Sequence, residues 1–242
     1  MNGQNPSISP SDRGSVTEDR TDSTGLSREI RIPALRLVGT LRIPPDAFAL
    51  VVFVHGSGSS RLSPRNRAVA EALNEYALAT LLFDLLTPEE ERDRSNVFDI
   101  TLLAERVIAA LDWLSREPTT RSLPIGLFGA STGAAAALVA AARYGDRIGA
   151  IVSRGGRPDL AGDALERVDA PTLLIVGGAD YGVIELNEFA FARLPGPKAI
   201  EIVPGATHLF SEPGSLEAVV RHAAHWFQTY LGPRSSDQRR AE

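Results

Sequence analysis

The 242-residue chain has no cysteine, one methionine and one lysine, Lys198. Lack of cysteine excludes a disulfide framework, a thiol nucleophile and thiolate metal sites together. No apolar run approaches the ~18 residues of a membrane span, and the polar stretch from Asn2 to Arg31 lacks the hydrophobic segment of a signal peptide. Strong charge of either sign is also missing. With 25 Lys+Arg against 30 Asp+Glu, the net charge of -5 gives no electrostatic reason to expect a nucleic acid or an anionic membrane as partner. The expectation is a cytoplasmic protein acting on a small molecule, with its oligomeric state left open. The scarcity of lysine has no functional reading.

What is present is ordinary for a globular chain: 43% hydrophobic and 23% charged residues, at a length that suits one large domain. Residues 1 to about 28 carry too few aliphatic side chains to offset the entropy of ordering, so they are expected to form a disordered tail, as are residues 234–242. That leaves 29–233 as the domain. Glu29 to Arg36 and Val38 to Ile43 roughly alternate apolar and polar residues and stop at Pro44-Pro45, which predicts two half-exposed antiparallel strands. The pattern then changes to short continuous apolar runs: Leu50 to Val54, Ala79 to Phe83, Ile125 to Phe128, Ile148 to Val152, Thr172 to Val176 and Ala199 to Val203. Such runs mark strands buried on both faces, and burial on both faces marks a parallel sheet. Between them, Pro64 to Leu78, Asp99 to Arg116, Thr132 to Arg143, Val183 to Leu194 and Ser215 to Leu231 have helical period or caps. The alternation predicts an α/β fold, a mostly parallel doubly wound sheet with antiparallel N-terminal strands, whose ligands bind beyond the carboxyl ends of the strands. Thr87 to Asn96 is expected to be a solvated connection rather than a lid over that edge.

Gly129-Ala130-Ser131-Thr132-Gly133 lies between an apolar strand and an alanine-rich helix. In that context Gly-x-Ser-x-Gly is a nucleophile elbow, with the serine at the apex of a strained turn and glycines where side chains would collide. The five letters alone are a weak signal. A serine hydroxyl also needs a base, so a histidine and an acid must be found at compatible positions. Of the four histidines, His222 and His225 lie within the C-terminal amphipathic helix and read as packed or solvated, and His55 ends a buried strand and reads as a prop for the turn. His208, in Pro204-Gly205-Ala206-Thr207-His208, follows a strand on the same edge as Ser131. Asp180 follows the aliphatic strand Leu173 to Val176; its competing role is to cap the next helix. The chain order Ser131, Asp180, His208 is the Ser, acid, His order of α/β-hydrolases.

A tetrahedral intermediate also needs oxyanion donors. The N–H of Thr132, next after the nucleophile, is one. The second should come from His55-Gly56-Ser57-Gly58-Ser59-Ser60-Arg61, with Ser57 the first choice and Gly58 the near alternative. The same loop, with Asp84 ending the next strand, imitates the start of a dinucleotide-binding fingerprint, but Arg61 stands where the third glycine belongs. On a further strand end, Arg154-Gly155-Gly156-Arg157-Pro158-Asp159 offers two arginines. They could hold a substrate carboxylate, against the plainer expectation of ion pairs to Asp159 or Asp163. Gly58 and Arg154 are therefore candidate substrate contacts.

Together these segments, with Gly177-Gly178-Ala179-Asp180 and Thr207-His208-Leu209-Phe210, resemble the small, capless α/β-hydrolases of the dienelactone hydrolase-like group over roughly residues 29 to 231. Dienelactone hydrolases proper use a cysteine, where this chain has Ser131, so the resemblance implies ordinary carboxylic esters rather than dienelactone. Similar domains also occur joined to phosphoribosyltransferase domains, and no such domain is expected in these 242 residues. The resemblance implies a catalytic core and leaves the substrate open. The resulting expectation is a serine hydrolase for small-molecule acyl esters, working through Ser131, His208 and Asp180 without metal or cofactor. A thioesterase or peptidase using the same residues, and a non-catalytic binding protein on the same scaffold, are the alternatives.

Overall fold

The computed structural model describes residues 20–22, 25–33 and 35–233. Nine strands form one sheet: β1 (Arg20–Asp22), β2 (Gly25–Ile32), β3 (Leu37–Ile43), β4 (Ala49–Val54), β5 (Leu78–Phe83), β6 (Ile125–Ala130), β7 (Ile148–Arg154), β8 (Thr172–Gly177) and β9 (Lys198–Val203), in the order β1-β2-β3-β5-β4-β6-β7-β8-β9. Pairings up to β3 with β5 are antiparallel and the rest are parallel. Every residue of β4, β5 and β8 is buried, whereas β3 alternates, as the change from continuous to alternating apolar residues predicts.

Helices cover both faces. On one, α1 (Pro64–Glu75) and α6 (Ser215–Leu231) bury Val69, Leu73, Val219 and Phe227 against Phe53 and Phe128, whose rings lie 4.8 Å apart. On the other, α3 (Ile100–Leu114) and α4 (Thr132–Tyr144) bury Val107, Leu111 and Leu138 against Val52 and Leu127. Ala134 to Ala137 of α4 are fully buried, because this helix is sandwiched between the sheet, α3 and the 3-10 segment Pro158–Arg167. Small side chains on all sides let the backbones approach. A fifth long helix, α5 (Tyr181–Arg193), joins β8 to β9, and Lys198 Nζ donates to the carbonyls of Phe191 and Leu194 near its C-terminal end.

One expectation needs correction. The sheet begins before residue 29: β1 and the start of β2 fall in the segment assigned to the tail, with Leu26 paired to Ile43 and Arg28 ion-paired to Glu117 at 2.8 Å. Backbone ladder bonds join β1 to β2 and β2 to β3, and Glu117, distant in sequence, holds Arg28. The remaining tail residues, 1–19, 23–24 and 234–242, lie outside the described ones. The Thr87 to Asn96 connection is solvated as expected, with none of its residues buried, and it carries one short helix. Pro88–Glu91 forms one capped turn, α2, in which Glu90 N–H donates to Thr87 Oγ1 and Thr87 N–H to the Glu90 carboxylate, while Glu90 ion-pairs with Arg106.

From β4 the chain passes to β5 on one side and later to β6 on the other, so the loops leaving β4 and β6 diverge at the middle of the sheet. In this class of fold that crevice is where ligands bind.

Candidate active site

Ser131 sits where β6 turns into α4, with φ 51° and ψ -126°, a conformation that side chains adopt only under constraint. The constraint is local packing. A Cβ on Gly129 would lie 2.5 Å from Ala134 Cα, and one on Gly133 would overlap the carbonyl oxygens of Val54 and His55 on the neighbouring strand. Both collisions expected of an elbow are present, one against the helix and one against β4.

Loops from three strand ends converge on this apex. His208 Nδ1 lies 2.8 Å from Asp180 Oδ2, and His208 Nε2 lies 3.3 Å from Ser131 Oγ. The carboxylate fixes the proton on Nδ1 and leaves Nε2 to accept from the serine. Asp180 occupies the N-cap position of α5, yet its side chain makes no capping bond. Of the two roles open to it, the carboxylate takes the histidine. The His208 loop is braced in turn, since Thr207 N–H and Oγ1 donate to Glu212 at 3.1 and 2.6 Å, bonds that hold the Glu212 carboxyl below its ordinary range.

The loop after β4 lies across from the elbow. Ser57 N–H, the expected second oxyanion donor, donates to Thr132 Oγ1 at 2.9 Å, which ties two loops 75 residues apart in sequence. The N–H of Thr132 opens α4, where the first-turn amides have no intrahelical acceptor. Gly58, at φ 69°, forms the turn in which Ser59 N–H returns to the Gly56 carbonyl. Asp84 accepts from both the backbone N–H and the guanidinium of Arg61, so the acid that imitated a ribose contact is a strut for this loop. His55 is a prop as expected: its Nδ1 faces the Gly56 carbonyl at 3.0 Å and its Nε2 accepts from Leu85 N–H at 3.1 Å. Burial pushes its pKa below the ordinary 6.5.

The two arginines after β7 part company. Arg157 forms a bidentate pair with Asp159, at 2.9 and 2.8 Å. Arg154 is 8% exposed; its guanidinium donates to Asn66 Oδ1 at 3.2 Å and lies 5.9 Å from the Phe210 ring centre. The expected acidic partner is absent for Arg154 and present for Arg157. Burial, with Arg65 nearby, lowers the Arg154 pKa to about 10. Arg154, Ser131, His208 and Gly58 all line one open cavity of about 500 Å³. A second hollow, of about 340 Å³, lies elsewhere on the surface, between α1 and the antiparallel strands, away from these groups. Sequence reasoning missed Asn66, Arg65 and Glu212; the Ser-Pro start of α1 was the one available hint that Asn66 and Arg65 begin a helix at the cavity wall.

The family model described as alpha/beta hydrolase fold matches residues 49–188. A dienelactone hydrolase from Anabaena variabilis ATCC 29413 is 54% identical, with a TM-score of 0.82 over 85% of this chain and 99% of that one. Est1E from Butyrivibrio proteoclasticus shares the fold at 18% identity, with a TM-score of 0.72 over 86% of this chain and 100% of that one. A Mycobacterium tuberculosis H37Rv protein named "Putative phosphoribosyl transferase" is 61% identical over 201 residues, 83% of this chain and 45% of that protein. The chain thus spans about half the length of the curated relatives it matches. Among the described residues no helix is long and apolar enough to cross a membrane. The fold, the elbow and these matches agree: the chain belongs to the α/β-hydrolase family, within its dienelactone hydrolase-like group.

Proposed function

We propose that this protein is a serine hydrolase that cleaves carboxylic esters through an acyl-enzyme. The single observation that carries the reading is the unbroken line Asp180 Oδ2, His208 Nδ1, His208 Nε2, Ser131 Oγ, with gaps of 2.8 and 3.3 Å, at the apex of an elbow. The 3.3 Å gap is the long end of a hydrogen bond, and such contacts tighten when substrate is bound.

In this mechanism His208 Nε2 takes the Ser131 proton as Oγ attacks the ester carbonyl carbon, and Asp180 stabilises the imidazolium. The carbonyl oxygen becomes an oxyanion beside the free Thr132 N–H at the helix N-terminus. Ser57 or Gly58 supplies the second donor; Ser57 would share its hydrogen with Thr132 Oγ1. Collapse of the intermediate expels the alcohol, which receives the proton from His208. Water, activated by the same imidazole, then attacks the acyl carbon and regenerates Ser131. The connection from Arg154 to Pro171 contains only the compact segment Pro158–Arg167 and no inserted cap, which favours an open site and compact acyl groups.

Ser131→Ala is expected to reduce turnover of a p-nitrophenyl acyl ester by at least about 10³-fold with the fold intact by circular dichroism. Retained turnover overturns the assignment. The transferase name belongs to a protein more than twice the matched length.

A further inference from the structure

The cavity beside Ser131 contains an imbalance that ester hydrolysis alone does not use. Its lining includes two guanidinium groups, Arg154 and Arg65, and no aspartate or glutamate. Neither arginine is ion-paired among the described residues. For the exposed Arg65 this is unremarkable, because water solvates it. For Arg154 it is not, since a buried cation is normally paired. Its one protein acceptor is the neutral Asn66 amide, and its Nε is buried without any partner. The wall beside it is the start of α1, a twelve-residue helix capped by Ser63, whose first turn presents Arg65 and Asn66 and the positive end of the helix dipole. The Ser59 and Ser60 hydroxyls line the same wall.

We propose that Arg154, Arg65 and the N-terminus of α1 seat a phosphate monoester group carried by the substrate, making the enzyme an esterase for phosphorylated esters. A dianion matches two unbalanced cations, where one carboxylate leaves a charge over. Its tetrahedral oxygens can also accept from guanidinium and hydroxyl donors and from the Arg65 N–H, the first-turn amide that Pro64 and the Ser63 cap leave over, which approach from different directions. Arg154 reaches the site from β7 and Arg65 from α1, so the group would be held between two elements that also flank the nucleophile. That the phosphate group belongs to a substrate rests on Ser131 being the nucleophile; the anion site does not.

Two measurements separate these. In the first, inorganic phosphate is titrated calorimetrically into the full chain and into Ser131→Ala. Saturable binding is expected in both, weakened at least about tenfold in Arg65→Gln and in Arg154→Gln, and unaltered in Arg157→Gln, whose side chain is paired with Asp159. Arg65 is exposed, so its variant keeps the test valid should the buried Arg154 variant unfold. In the second, kcat/KM is compared for acetylglycerol, its phosphate monoester and an acetyl ester bearing one carboxylate. The phosphorylated ester is expected to be favoured by at least about tenfold, mainly through KM, with the preference collapsing in Arg65→Gln. Absence of phosphate binding, or an equal preference for the carboxylate, overturns the proposal. Phosphate binding together with ester turnover in Ser131→Ala would leave the anion site standing and remove the nucleophile.

Discussion

His55 and His208 both emerge at the carboxyl edge of the parallel sheet, one directly after β4 and the other five residues after β9, and their surroundings assign them opposite work. Both ring nitrogens of His55 are committed to backbone groups, Gly56 and Leu85, and the residue is 7% exposed. Only one nitrogen of His208 is so committed, to a carboxylate, while the other faces a hydroxyl and the side chain is 37% exposed. The same residue type on the same edge is structural where its hydrogen bonds are complete. It is available for proton transfer where one bond ends on a group that can itself react.

Exchanging side chains tests that contrast. The largest effect is expected for His208→Ala, which removes the proposed base and should lower kcat on a p-nitrophenyl ester by about 10³-fold or more, with little change in thermal midpoint. Asp180→Asn should follow at about 10²- to 10⁴-fold, because an amide can hold the ring in the wrong tautomer. His55→Ala should invert the pattern. The stability loss, read by urea unfolding, should be about 1–3 kcal/mol from the unsatisfied Leu85 N–H, with kcat of the folded protein within roughly tenfold of the parent. An equal loss of kcat in the His55 and His208 variants would erase the distinction.

The smallest effect is on pH. Because the folded pKa of His55 lies below 6.5, the unfolded chain binds the proton more readily. The stability contributed by the neutral ring is therefore present above pH 6.5 and lost as pH falls below it towards the folded value. Unfolding free energy should decline over that window in the parent and decline less in His55→Gln.

The parallel part of the sheet was legible because strands buried on both faces must be apolar throughout, as Leu50 to Val54 and Thr172 to Val176 are. Residues 20–28 were not, since β1 and early β2 are held by ladder bonds and by Arg28 reaching Glu117, 89 residues away, and neither leaves a local pattern. In the site, Ser131, Asp180 and His208 could be found because each stands at the end of a recognisable strand. The pairing of Arg157 with Asp159 follows from their spacing of two residues. The isolation of Arg154 does not: it depends on Asn66, 88 residues earlier, occupying the place an acid would have taken.

Asp180 stands where a helix cap belongs and withholds its side chain from that duty. A capping bond of this kind contributes on the order of 1 kcal/mol to a helix, so α5 begins without that anchor, and Tyr181, its first residue, is 75% exposed. The opening turn of α5 is therefore the place where hydrogen exchange should be fast relative to the body of the helix. The carboxylate bonded to His208 thus stands on an uncapped helix start, where a change in the turn is expected to reach the histidine before it reaches the fold.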